Sequence, residues 1–372
     1  ARGSAAMWAC YVGACAGAGL APAAALGEEA VELLRTVPPG ERIGEATQER
    51  LLATALTILA STYGSMSRPD DARRVFREAH ERWSAIGDDH LSRAFAAEAL
   101  GEIAEIDGGL RLALDLQSES VAHFEAAHVD WALAILNGNC ATLAYRLGDL
   151  DTAFAYAQEA LRSTRFLRLD GYESLLVSRL GTYALGRGQV ELADQLMDQA
   201  LELAVHRRYT SSEALTLHAQ CVLRRAQGHL DEADDIARRA ATMLAAADLM
   251  GSWCQVQSTR GLIAQARGDV ETARRLHTEA LATARVLQHR RAIALAVEGL
   301  AGVAVVDDDG DRAATLLGAA SVVRRADGGG HPGPESDLED IESGAVELVG
   351  RDAFDRAFTA GAASSLGDLI PA

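Results

Sequence analysis

The sequence predicts an all-α fold made of repeated helical hairpins, and three observations carry that expectation. Gly148, Gly188, Gly228 and Gly268 lie 40 residues apart; each is followed five residues later by alanine (Ala153, Ala193, Ala233, Ala273) and twelve later by another (Ala160, Ala200, Ala240, Ala280). A period of this length normally means one helical hairpin per repeat, stacked on its neighbours because no hairpin buries its apolar face alone. The segment after each glycine is amphipathic at helical spacing, as in Val190, Ala193, Leu196, Met197, Ala200, Leu201 and Ala204. Finally, Ala, Leu, Arg and Glu dominate, aromatics make up 5% of 372 residues, and the 7 prolines sit toward the ends. That composition favours helix over strand.

Taken in order, the beat extends both ways. Gly27-Glu28-Glu29-Ala30 reads as a degenerate first copy, Pro69-Asp70-Asp71-Ala72 as a second one residue out of step, and Gly108 with Ala113 as a third. The four regular copies follow. An eighth centres on Ala313, where the turn Asp307-Asp308-Asp309-Gly310-Asp311 carries its glycine two places late. The expected array therefore spans residues 1–326, with about eight hairpins centred on Ala30, Ala72, Ala113, Ala153, Ala193, Ala233, Ala273 and Ala313. In each copy glycine ends the first helix in a conformation that side chains resist. Asp149 and Asp269 are suited to cap the second. Small residues (Ala60, Gly101, Ala141, Gly181, Gly261, Ala301) recur seven before the turn, where the paired helices must approach closely. Residues 327–372 break the beat: a Gly/Pro-rich loop from Asp327 to Pro334 precedes helical runs Glu335–Val349, Asp352–Ala360 and Leu366–Ile370, the composition of a terminal cap.

Charge and cysteine usage narrow the function. Every one of the 35 cations is arginine, against 53 carboxylates, giving a formal charge of −18. An acidic surface disfavours direct binding to nucleic acid or an anionic membrane. No apolar run is long enough to span a bilayer, and the Ala/Gly-rich stretch from Met7 to Leu26 lacks the basic start of a signal peptide. The chain opens at Ala1 without an initiator methionine and reads as a piece of a longer polypeptide. Five cysteines (Cys10, Cys15, Cys140, Cys221, Cys254), mostly in apolar helical runs, suit reduced, buried thiols of a cytoplasmic protein. Cys10 and Cys15 have no partner pair at zinc spacing, so no metal is expected.

The small residue seven before the turn, the turn Gly-Asp, and alanines five and twelve after it resemble the tetratricopeptide repeat. Tyr63 and Phe76 fill its aromatic slots. The longer period resembles the repeat domain of MalT-like regulators. In the last stretch, Asp311 to Ala320, Arg324, Pro332, Pro334, Val349-Gly350, Phe354, Ala357-Phe358, Gly361 and Leu366 resemble the end of large actinobacterial regulators. These include the Streptomyces antibiotic regulatory proteins and large LuxR-type activators, which join a DNA-binding domain, a signal-transduction ATPase and a repeat domain. The resemblance implies an α-solenoid whose concave groove binds a partner. With no lysine there is no Walker A loop, and no helix-turn-helix sits in a basic patch, so the ATPase and DNA-binding parts would lie outside this chain.

No catalytic constellation stands out, and neither an enzyme nor a cofactor is expected. Asp307, Asp308, Asp309 and Asp311 lack calcium-loop spacing and read as a solvated turn. Trp83, Trp131 and Trp253 read as packing residues. Carried over from the repeat pattern, the groove positions are Asn137, Thr142, Tyr145, Arg146, Ser178, Thr182, His218, Arg225, Ser258, Gln265 and Glu298. Asn137 and Asn139, the chain's only asparagines, flank Gly138 in mid-helix, a local conflict that marks a candidate spot. Glu98, Glu102 and Glu105 fall on the same side one repeat earlier and read as helix-surface charge. The expected role is a sensor and protein-interaction domain of a transcriptional regulator. Its partners would be protein (its own ATPase or DNA-binding domains, or other regulators), with a small-molecule effector as a further ligand. The alternatives are a free-standing adaptor or a small-molecule-binding solenoid.

Overall fold

The computed structural model describes residues 6–7, 20–36, 44–66, 68–329 and 337–370. Cys10, Cys15 and residues 330–336, which include most of the expected Gly/Pro-rich stretch, fall outside them. Among the described residues there is no strand, and helix follows helix. These are α1 (Leu20–Thr36), α2 (Glu45–Ser65), α3 (Pro69–Ile86), α4 (His90–Ile106), α5 (Leu110–Ala126), α6 (Asp130–Arg146), α7 (Leu150–Leu167), α8 (Asp170–Gly186) and α9 (Val190–Arg207). Then come α10 (Thr210–Ala226), α11 (Leu230–Ala246), α12 (Met250–Ala266), α13 (Val270–Val286), α14 (Arg290–Val306) and α15 (Gly310–Ala326). The chain closes with α16 (Leu338–Val349), α17 (Arg351–Ala363) and α18 (Leu366–Leu369). Even-numbered helices from α2 to α14 are the first helices of hairpins; odd-numbered ones to α15 are the second. The chain forms two compact units, Ala1–Leu180 with Glu202–Ser212, and Gly181–Leu201 with Glu213–Ala372.

The beat has twice the frequency that the glycines show. Gly108, Gly148, Gly188, Gly228 and Gly268 all have positive φ, and so do His128, Arg168, Arg208, Asp248 and Gln288, each 20 residues after one of them. Each hairpin-closing glycine ends its helix in a Schellman motif. At Gly148 its N–H bonds the Tyr145 carbonyl and the Asp149 N–H bonds that of Ala144, both at 2.9 Å. The connections between hairpins make the same bonds with side chains present, as Leu169 N–H to the Thr164 carbonyl at 3.0 Å. Asp308 takes the left-handed place itself at φ 61°, so the eighth turn stays in register and Gly310 starts the next helix instead. Asp149 and Asp269 accept from the N–H groups of Thr152 and Thr272 at 3.1 Å, capping α7 and α13.

One expectation is corrected. Gly27 is not a turn; it is buried inside α1. Second helices place their key alanine three residues after the start, as Ala153 in α7, so in α1 that part falls to Ala23, and Ala30 stands where Ala160 stands.

Packing within hairpins follows a size rule. The residue seven before the turn faces the residue nine after it. Gly101 faces Gln117, Gly181 faces Met197, and Gly261 faces His277; a Cβ on these glycines would lie 2.8, 2.9 and 2.4 Å from the opposing side chain. Where the opposing residue is Ala157 or Ala237, the facing position is Ala141 or Cys221, and all four are fully buried. In these five hairpins Gln117, Met197 and His277 are admitted because the partner helix offers a glycine, whereas in other copies Phe76 and Leu317 stand in the same register as Ala60 and Ala301.

The last hairpin is sealed by α17. A Cβ on Gly361 would fall 1.9 Å from the Thr315 carbonyl oxygen, and one on Gly318 2.0 Å from that of Phe358, so α15 and α17 touch backbone to backbone. Arg285 donates to the carbonyls of Leu366 and Ile370 at 2.9 and 2.8 Å, and Arg312 to that of Leu369 at 2.6 Å.

Candidate functional site

In the first unit, the face made by first helices gathers a polar recess. Glu98, Glu102 and Glu105 recur on one side of α4, all half-buried. Glu105 accepts from the Arg146 guanidinium on α6 at 2.5 Å. Glu102 accepts from the Gln117 amide at 3.1 Å and from Asn139 at 3.5 Å. Among the described residues no arginine pairs with Glu98 or Glu102. Burial pushes the Glu98 carboxyl up to about 8. It also holds Glu102 well above the usual carboxylate range, with the charges of Glu105 and Glu98 adding to the effect. What reads in the sequence as surface charge is thus partly desolvated.

The Asn137-Gly138-Asn139 conflict has a packing cause. A Cβ on Gly138 would lie 2.1 Å from the Tyr172 hydroxyl, so glycine is what lets α8 close on α6. Arg179 donates to the Gly138 carbonyl at 3.2 Å, and Thr142 to the same carbonyl at 3.0 Å. Asn137 is buried and bonds its own helix at the Leu133 carbonyl, 2.8 Å away. Only Asn139 reaches the recess. Tyr145 and Ser178 are buried beside Arg146 and Arg179 in sequence.

In the second unit the equivalent face is covered. Arg225, on α10, pairs with Asp337 through one nitrogen, Nη1, which donates to both carboxylate oxygens at 2.8 Å, although 112 residues separate the two. Beyond Asp337, α16 crosses α14: the space above Gly302 is shared by Ile341 and Gln265, and a Cβ on Gly344 would lie 2.8 Å from Val305. It ends over the start of α15, with Val349 and Leu348 against Gly310. Gln265 itself donates to the Gly299 carbonyl at 2.7 Å. Glu298 is buried and accepts from Arg324 Nε at 3.0 Å and from its Nη2 at 2.5 and 2.6 Å. His218 lies 3.3 Å from the buried Thr259 hydroxyl, Ser258 is buried, and Thr182 is half-buried. The structure thus brings Arg146 together with Glu105, and Arg225 with Asp337; it leaves the remaining predicted positions as separate helix contacts.

Chemistry of other kinds finds little purchase. Burial pushes the thiols of Cys140, Cys221 and Cys254 up to about 12, which leaves them protonated and unreactive. Among the described residues no group of three His, Cys, Asp or Glu side chains could hold a metal ion, and no helix is long and apolar enough to cross a membrane. In the Asp307–Asp311 turn, Asp307 pairs with Arg274 at 2.5 Å and Asp309 caps α15 through the Arg312 N–H.

Comparison with known proteins agrees with this architecture. Residues 51–126 match the family described as tetratricopeptide repeat. A Rap protein complexed with competence and sporulation factor superposes with a TM-score of 0.65 at 13% identity, covering 96% of this chain and 99% of that one. The fold is a tetratricopeptide-like α-solenoid. The Rap conjugation gene regulator of plasmid pLS20, in complex with the Phr* peptide, superposes at 0.57 with 17% identity over 72% of this chain and 70% of its own. A signal-transduction ATPase with a tetratricopeptide repeat sensor from Pyrococcus horikoshii gives 0.52 at 14% identity, covering 82% of this chain; the chain spans 44% of that protein. At these identities the likeness is one of fold. No curated protein matches the sequence.

Proposed function

We propose that this tetratricopeptide-like array is the sensor and protein-interaction part of a larger transcriptional regulator. It takes a protein or peptide partner on the first-helix face of its first unit and so biases an attached ATPase and DNA-binding part. One observation carries the reading. Glu98 and Glu102 are half-buried carboxyls without a cation, in an array where alanine or leucine would pack better. Taking such carboxyls out of water and forcing them to hold their protons costs stability, and a cationic partner group seated in the recess would remove that cost by letting them ionise. Support by fold comes from the Pyrococcus horikoshii ATPase, whose repeat array is described as a sensor, and from the Rap regulator held with a peptide. A bound partner shifts the attached domains only by preferring one of their states.

The test is a peptide array graded in charge, probed with the wild-type chain and with Glu98→Gln/Glu102→Gln. Cationic peptides retained by the wild type and lost by the variant support the assignment. Titration calorimetry in buffers of different ionisation enthalpy should show proton release on binding, because the cation lowers both carboxyl pKa values. Equal retention by both proteins, or no charge preference, overturns it.

A further inference from the structure

We infer that the first-helix face of the second unit is a binding surface for an acidic amphipathic helix, and that the segment from Asp337 to Val349 is its intramolecular occupant, displaced by such a helix from a partner protein. Asp337, Glu339, Asp340, Glu342 and Glu347 make this segment uniformly acidic, with no basic residue. Its anchors are few and regularly spaced. Asp337 binds Arg225, and four and eight residues on, Ile341 and Ala345 are the buried side chains of α16, with Leu338, Val346 and Val349 partly buried beside them. That i, i+4, i+8 pattern is how a helix docks in a groove. Glu339, Asp340 and Glu347 are exposed, and Glu342 pairs with Arg351 of the following helix, so the acidic side faces outward.

The array does not need α16 to close its end. Backbone contact at Gly318 and Gly361 seals α17 to α15, while α16 reaches the core through side chains alone, Ile341 and Ala345 with Leu338, Val346 and Val349 partly buried beside them. A helix of 12 residues is marginal by itself, so α16 holds its shape only while docked. Its far anchor, one guanidinium nitrogen of Arg225 shared by both oxygens of a carboxylate, is a charge-assisted contact that any well-placed Asp or Glu reproduces. The occupant therefore presents the chemistry that a competitor must carry: a carboxylate for Arg225, then a branched aliphatic side chain for the space above Gly302. This surface shares no residue with the carboxylate recess and stands or falls independently of it.

The test uses a fluorescent peptide of the sequence Asp337 to Val349 and the full chain. In the wild type the tethered copy outcompetes the peptide through its effective concentration, so Asp337→Ala/Ile341→Asp, which releases the tethered copy, should bind the peptide about a hundredfold more tightly. Adding Arg225→Glu should abolish that gain. Hydrogen exchange on the unaltered wild type is the companion measurement. Amides of α16 should open in a separate event, about a hundredfold faster than those of α15 and α17. Peptide binding no tighter in the opened variant, or protection of α16 equal to that of α17, overturns the inference. Exchange of the tethered segment between two copies, seen as a dimer of the wild type that Arg225→Glu dissolves, would also overturn it, since the occupant would then be a second copy of this chain.

Discussion

Replacing Gly261 by alanine tests the size rule where it is tightest. The new Cβ would lie 2.4, 2.5 and 2.8 Å from the Nε2, Cε1 and Cδ2 atoms of His277. The ring has nowhere to retreat. On its other side a Cβ on Gly299 would sit 2.1 Å from Cε1, so the imidazole already touches both glycine backbones. Overpacking of this kind costs about 1–3 kcal/mol, and the upper half of that range applies to a ring held from two sides. Against it, alanine in a helix interior gains about 1 kcal/mol over glycine. The expected net loss is about 1–2 kcal/mol. In a His277→Ala background the clash is gone and only the helix term remains, so the same substitution should stabilise by up to about 1 kcal/mol. Urea unfolding of the four proteins of this cycle, followed by circular dichroism, measures the coupling, expected at about 2–3 kcal/mol. If Gly261→Ala destabilises equally with and without His277, the size rule is wrong at this position.

Three further outcomes are expected. Burial drives the His277 imidazole from 6.5 down to about 3, so the unfolded chain takes up a proton that the folded chain refuses; stability should fall as pH drops below 6.5 toward 3, by about 1.4 kcal/mol per pH unit at the steepest. A chain with His277→Ala should lose that slope in acid unfolding profiles. Glu98 behaves oppositely: its folded carboxyl keeps its proton to about 8 while the unfolded one releases it near 4.5, so its contribution is full below 4.5 and lost as pH rises to about 8. Glu98→Gln should therefore raise the melting temperature at pH 8 and not at pH 4; discounted for its partial exposure, the gain is about 1–2 kcal/mol. Gln288 holds a left-handed φ of 52°, and Gln288→Gly should stabilise by about 0.5–1 kcal/mol, the strain relieved less the entropy lost; a loss in thermal unfolding would contradict this.

The repeat was legible because glycine is the usual solution to a left-handed helix end, so five turns announced themselves as Gly108, Gly148, Gly188, Gly228 and Gly268. The five turns that follow each of them by 20 residues were not, since His128, Arg168, Arg208, Asp248 and Gln288 adopt the same conformation with nothing in common chemically. Gly27 misled for the complementary reason: glycine also serves close packing inside a helix, as it does at Gly138. Of the site, helical spacing correctly placed Glu98, Glu102 and Glu105 on one side of α4, but their desolvation comes from neighbouring helices that no local pattern encodes. Arg225 was picked out by repeat position, yet Asp337 could not be, because an ion pair spanning 112 residues leaves no trace in spacing.

Because a left-handed residue falls every 20 positions without exception from Gly108 to Gly328, the chain has a unit of permissible length change. Losing one residue inside a helix turns every later side chain through about 100° and sets alanines where large residues belong. Losing 40 restores the pattern with only the size-matched pair of that hairpin removed, glycine and bulky partner together. Genes for such arrays can therefore grow or shrink by whole hairpins while remaining intolerant of single-codon slips, and the place to cut is from one turn glycine to the next.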